Sequence, residues 1–251
     1  MIDKYFVLSG GGCRGFAHLG VVKALQEQDI YPGEIAGTSA GAIAGAFLAD
    51  GFTPDEIRDM FVSQLKLNMF PLNVFKPGLI SMKHIREFLE KNLRHTKFEE
   101  LPIPFHVAAT NFIDGCQIIF NTGNITDAVI AASSIPVLFP SVVIDGIPYV
   151  DGGLSNNIPV EPFEDRKKDV ICVYVNPIKP FDPKEGMLEV IDRSIHLSFR
   201  GMVRHSAQDC YLYIEPAGLD RFGLFDIHKL SEIFETGYRY TKDLLKKHQT
   251  I

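Results

Sequence analysis

The chain has 251 residues, 46% hydrophobic and 22% charged, enough to bury one substantial core, and it reads as a single domain over 1–251. A formal net charge of −6 excludes a general nucleic-acid binder and simple electrostatic adhesion to anionic membranes; transient membrane contact would need apolar insertion or a local basic patch. No low-complexity run, repeat, bilayer-length apolar stretch or secretory signal is legible, and Cys13, Cys116, Cys172 and Cys210 are scattered without metal-ligand spacing, which predicts a cytoplasmic protein with reduced thiols and no metal.

Lys4 to Ser9 is a continuous apolar run, the pattern of a buried strand. It enters Gly10-Gly11-Gly12-Cys13-Arg14-Gly15, and Phe16 to Gln28 then reads as a helix with Leu19, Val22 and Leu25 on one face. A strand, a glycine loop and a helix let backbone N–H groups converge on an anion. Gly10, Gly12 and Gly15 fit the dinucleotide spacing G-x-G-x-x-G, which wants an acidic residue at the end of the second strand to hold a ribose. That strand ends in Gly37-Thr38, so the ribose ligand is missing. The other reading is an oxyanion loop, with Arg14 anchoring or polarising it. It stands ahead of the nucleotide reading because of what lies one helix further on. His18, on an otherwise apolar helix, reads as a hydrogen-bonded core histidine and not as a base.

Gly37-Thr38-Ser39-Ala40-Gly41 has the form G-x-S-x-G, between strand-like Glu34-Ile35-Ala36 and helix-like Ala42 to Ala49. A serine on a sharp strand-to-helix turn presents its hydroxyl to a substrate, and Gly37 and Gly41 keep the turn uncrowded. Thr53-Pro54-Asp55-Glu56 is a capping box that predicts a helix from Pro54 to Leu65. Lys66 to Lys76 is apolar without a period and reads as either a lid or a packed loop; Ser81 can cap a helix through Leu93. Phe105 to Thr110 is another buried strand, turned at Asp114-Gly115 into Gln117 to Phe120. Asn124 or Thr126 opens a helix through Ala132, and Ser133-Ser134-Ile135-Pro136 breaks it; Ser133 and Ser134 could touch the site, but two serines before a proline read first as helix-end chemistry. Ser141 to Val150 is a hairpin around Asp145-Gly146. Asp151 then ends a strand and enters Gly152-Gly153, followed by Asn156 and Asn157. Val170 to Val175 reads as a central strand, Met187 to Arg204 as a helix, Asp209 to Ile214 as a strand, and His228 to Lys247 as an amphipathic helix.

A serine nucleophile needs a base. In a triad the chain order Ser, Asp, His would draw on His196, His205, His228 or His248, and none sits in a loop after a strand. The alternative is a Ser–Asp dyad, in which burial must raise a carboxylate that is ordinarily a weak base. The glycine loop, Gly37-Thr38-Ser39-Ala40-Gly41, Ala132-Ser133-Ser134-Ile135-Pro136 with Phe139-Pro140, and Asp151-Gly152-Gly153 together resemble the patatin-like phospholipases, over about Tyr5 to Pro159. The resemblance implies a three-layer α/β/α fold with a mostly parallel central sheet and hydrolysis of fatty-acyl esters without a metal or other cofactor. It also implies Ser39 as nucleophile, Asp151 as proton acceptor, and an oxyanion loop of Gly10, Gly11, Gly12, Cys13, Arg14 and Gly15. Cys13 stands where the family more often has glycine or alanine. Oligomeric state and head-group preference have no signature in the sequence.

Overall fold

The apolar run at the N-terminus becomes the strand around which the sheet is laid. In the computed structural model, which describes residues 2–66, 82–178 and 186–248, β1 (Ile2–Leu8) lies between β2 (Ile30–Gly37) and β7 (Val170–Val173), parallel to both. β3 (Phe105–Asn111) extends the parallel set beyond β2, and β8 (Leu212–Ile214) extends it beyond β7. Two antiparallel strands join β3: its hairpin partner β4 (Gln117–Phe120), and β6 (Ile147–Asp151), which carries β5 (Val142–Ile144). The order is β5-β6-β3-β2-β1-β7-β8, with β4 attached to β3.

Strands buried on both faces have no polar side, and β1 divides its residues accordingly: Phe6 and Leu8 enter one core, Val7 the other. The larger core is closed by α1 (Phe16–Gln26), α2 (Ala40–Ala49), α3 (Pro54–Lys66), α4 (Lys83–Asn92), α5 (Ile125–Ala132) and α7 (Leu230–His248). On the opposite face Val7, Ala36 and Cys172 meet Phe163 and, from α6 (Met187–Ser206), Phe199 and Val203. The result is the expected mostly parallel sheet between helical layers. α1 and α7 pack backbone to backbone: a Cβ on Gly20 would lie 2.1 Å from Phe234 O, and one on Gly237 2.3 Å from Ala17 O.

Several elements differ in extent from their expectation. β2 begins at Ile30, ahead of the expected Glu34, and its pairing with β1 shifts register at Gly33, where Lys4 faces Pro32 and Tyr5 faces Glu34. Proline and glycine next to each other obscure a strand in the sequence, and a bulge accommodates them. The last helix starts at Leu230, because residues 227–229 form a separate 3-10 turn. Asn124, not Thr126, caps α5, its side chain accepting from Asp127 N–H at 2.9 Å. The Thr53–Glu56 capping box forms as read, with Thr53 N–H donating to Glu56 at 2.8 Å. Asp145 (φ 50°) and Gly146 (φ 81°) make the two-residue turn. Ser81 and all of the lid-or-loop segment after Lys66 lie outside the described residues. All four cysteines are free thiols, and Cys172 and Cys210 bring their Sγ atoms to 3.2 Å.

Candidate active site

Ser39 stands at the break between β2 and α2, with φ 51° and ψ −124°. A left-handed φ is costly for a residue with a side chain, so the surroundings must hold it. They do so from the end of α5: Ser39 N–H donates to Ala132 O at 3.0 Å, and Ser133 Oγ donates to Ser39 O at 3.3 Å. The flanking glycines are required by backbone contact. A Cβ on Gly37 would lie 2.5 Å from Gly41 O, and one on Gly41 would lie 2.2 Å from Leu8 O.

Asp151 reaches the same place from the other direction. Gly37 pairs with Val107 and Asp151 with Ala109, so the ends of β2 and β6 are set two positions apart along β3. Between them, Thr38 Oγ1 donates to Ala108 O at 3.0 Å, and Gly152 is pressed so close that a Cβ there would lie 2.0 Å from that oxygen. Asp151 is fixed through its backbone, its N–H donating to Ser134 O and its carbonyl accepting from Thr110 Oγ1, both at 2.9 Å. Its carboxylate is buried. Oδ1 accepts from Gly153 N–H at 2.8 Å, and Oδ2 has no hydrogen-bond partner among the described residues. Burial pushes the carboxyl up from 3.8 to about 6, against the opposing pull of the Ser39 hydroxyl and the Gly153 amide. Ser39 therefore lies close enough to stabilise the ionised acid, without closing a hydrogen bond of ordinary geometry. Such contacts tighten when a substrate is bound.

The glycine loop wraps over this pair. A Cβ on Gly10 would lie 3.0 Å from Ser39 Cβ, and one on Gly15 2.5 Å from Ala40 Cβ, so these two glycines let the loop approach Ser39. Asn176 Nδ2 donates to Gly10 O at 2.6 Å and Ser9 Oγ accepts from Val175 N–H at 3.1 Å, which ties the loop to the segment after β7. His18 Nε2 is 2.8 Å from Ser9 O. Burial lowers its pKa to about 4, so the ring is neutral near pH 7 and Nε2 donates; His18 is the core histidine expected. The amides from Gly11 to Arg14 do not all face one oxygen. Cys13 N–H donates to Leu224 O at 2.8 Å, and Arg14 N–H to Gly11 O at 3.2 Å. Arg14 Nε also reaches Gly11 O, so this buried guanidinium braces the loop from inside. Gly12 (φ 56°) and Ala40 open their respective helical turns, where the N–H groups have no intrahelical acceptor.

From Ser39 a cavity of about 200 Å³ runs between α1, α2, α3, α4 and the stretch before α7. Its walls include Phe16, Leu19, Ile43, Phe61, Ile85 and Leu224. A serine on the wall of an apolar cavity suits an acyl chain. Among the late histidines, His205 and His228 are exposed, and neither hydrogen-bonds Ser39 or Asp151. The side chains of His196 and His248 lie outside the described set. His84, on α4, does line the cavity, with its Nδ1 buried and unpartnered.

The family model for patatin-like phospholipases matches residues 6–164, taking in the glycine loop, Ser39 and Asp151. The chain belongs to the patatin-like phospholipase family. An uncharacterized NTE family protein of Mycobacterium tuberculosis is 33% identical over 185 residues, 72% of this chain but 31% of that protein. Lysophospholipase NTE1 of Kluyveromyces lactis is 25% identical over 276 residues, 97% of this chain and 19% of its own length. The chain thus spans a third or less of the length of these relatives. The crystal structure of VipD from Legionella pneumophila shares the fold, with a TM-score of 0.56 at 17% identity over 98% of this chain and 67% of that one.

The sequence points only weakly to one part of this patatin-like site and not at all to another. Ser133 and Ser134 read as helix-end chemistry, and Ser134 Oγ does donate to Ile130 O at 2.8 Å. The same stretch also supplies the acceptors for the backbone amides of Ser39 and Asp151. His84 precedes Asp151 in the chain, outside the Ser, Asp, His order that points to later histidines. The signal for both was spatial, and nothing in local spacing reports it.

Proposed function

We propose that this chain is a serine acyl hydrolase that cleaves fatty-acyl esters of lipids, with Ser39 as nucleophile and Asp151 as its base. The observation that carries the reading is the buried Asp151 carboxyl, raised to about 6 beside the strained Ser39 at the mouth of an apolar cavity. A carboxyl near 6 is mostly ionised at neutral pH and is a stronger base than an ordinary aspartate. Asp151 takes the Ser39 proton as Oγ attacks the acyl carbonyl, and the alcohol leaves with that proton. The Gly11 and Gly12 amides, with Ala40 N–H at the start of α2, receive the oxyanion, where a single donor is worth roughly a hundredfold in rate. Phospholipids and lysophospholipids are the substrate class, supported by family membership and by the lysophospholipase among the relatives. No helix among the described residues is long and apolar enough to cross a membrane.

The test is esterase turnover of a p-nitrophenyl acyl ester by the wild type, Ser39→Ala and Asp151→Asn. A fluorophosphonate probe should label Ser39 and fail to label the alanine variant. Full turnover in either variant rules the dyad out. A mass-spectrometric screen of a lipid panel then assigns head group and chain length.

A further inference from the structure

We propose that the Asn157 carboxamide positions the water that hydrolyses the acyl-enzyme, an inference that rests on the acyl-hydrolase reading above. Asn157 is 5% exposed, and its Oδ1 is a buried acceptor with no hydrogen-bond partner among the described residues. Buried amide oxygens are rarely left unpaired, and a site that holds one is suited to a bound water or ligand. Its neighbour Asn156 shows the contrast. Asn156 Oδ1 accepts from Ile158 N–H at 3.1 Å, and its Nδ2 donates to Glu161 at 2.7 Å and to Ser206 at 3.2 Å. Asn156 is therefore satisfied as a loop-shaping residue, and Asn157 is not.

The position of Asn157 gives the open acceptor its use. A Cβ on Gly10 would lie 3.3 Å from Asn157 Nδ2 and 3.0 Å from Ser39 Cβ. A Cβ on Gly153 would lie 2.9 Å from the same Nδ2 and 3.0 Å from Asp151 Oδ1. The Asn157 carboxamide thus packs, through Nδ2, against the same two glycines that adjoin Ser39 and Asp151. Asp151 Oδ2 is a second buried acceptor without a hydrogen-bond partner among the described residues. A water has two O–H bonds to give. One is donated to Asp151 Oδ2 and the other to Asn157 Oδ1, which turns a lone pair toward the acyl carbon.

In the step itself, the water oxygen bonds to the acyl carbon and its proton passes to Asp151. The tetrahedral oxyanion collapses, the bond from the acyl carbon to Ser39 Oγ breaks, and Oγ recovers the proton from Asp151. The products are the free acid and the original serine. Acylation uses no water, so Asn157 acts only in this second half-reaction.

The experiment compares wild type, Asn157→Ala and Asn157→Asp on a p-nitrophenyl acyl ester. Three quantities are read: the rate of fluorophosphonate labelling of Ser39, steady-state turnover, and the fraction of enzyme carrying an acyl group on Ser39 after an acid quench. For Asn157→Ala, labelling should stay within about twofold of wild type, turnover should fall about tenfold, and acyl-enzyme should accumulate, a loss typical of one hydrogen bond to a reacting group. Asn157→Asp keeps the acceptor, so it should regain deacylation, with its rate profile moved to higher pH by the added negative charge. Loss of labelling and turnover in parallel, or unchanged turnover in the alanine variant, overturns the proposal. A wild type that neither labels at Ser39 nor turns over overturns the hydrolase reading itself.

Discussion

Replacing Asp151 with asparagine should abolish turnover and make the protein more stable. The carboxyl is raised from 3.8 to about 6, chiefly by burial, and it is nine-tenths or more buried. A shift of about two units is worth about 3 kcal/mol. The unfolded chain releases this proton near pH 4 and the folded chain only near pH 6, so between those values the folded state holds more protons and stability falls as pH rises. Above about pH 6 the whole penalty is present. Asparagine keeps the shape and an Oδ1 for Gly153 N–H, and it has no charge to desolvate. At about pH 8 the variant should gain about 1–3 kcal/mol, which raises the melting temperature by ~2–4 °C per kcal/mol in a chain of this size. At about pH 3, below both values, the two proteins should melt together, since both are then largely uncharged at this position, folded or unfolded. Thermal melts across that range, run beside the esterase assay, measure both effects. Equal or lower stability of Asp151→Asn at alkaline pH, with a gap that does not close in acid, would refute this account. The same proton sets the rate: turnover should rise about tenfold per pH unit up to about pH 6 and level off above it.

His84→Gln should keep turnover within about twofold, since no hydrogen bond joins His84 to Ser39 or Asp151; a loss of a hundredfold or more with intact folding would indicate a triad. Ile43→Phe narrows the cavity and should cut turnover of decanoyl esters about tenfold while sparing butyryl esters, read as a ratio of kcat/KM values. Gly237→Ala drives a Cβ to 2.3 Å from Ala17 O and should cost about 1–3 kcal/mol. Gly201→Ala, on α6 with nothing within 4 Å of the added Cβ, should instead gain about 0.5–1 kcal/mol in a denaturation titration.

Much of the fold is legible because the relevant signals are local. The apolar runs at Phe6–Leu8 and Val170–Val173 can only be strands buried on both faces, and both are. The capping box at Thr53 and the turn at Asp145-Gly146 are closed within four residues, so their chemistry is complete in the sequence. β2 was under-read because Pro32-Gly33 imitates a loop, and the bulge that rescues the strand depends on its partner β1. The oxyanion loop was legible as a loop. Which of its amides remain available depends on Leu224, from a distant part of the chain.

By itself the sequence determined the parts: an alcohol in a glycine turn, an acid before a glycine pair, and a glycine loop, each a local backbone requirement that only certain residues meet. Only the tertiary structure decided that these parts meet. The two strand ends abut on β3, and Ala132 and Ser134 hold the backbones of Ser39 and Asp151. Burial, a property of the whole packed molecule, then lifts the Asp151 carboxyl above the ordinary aspartate value.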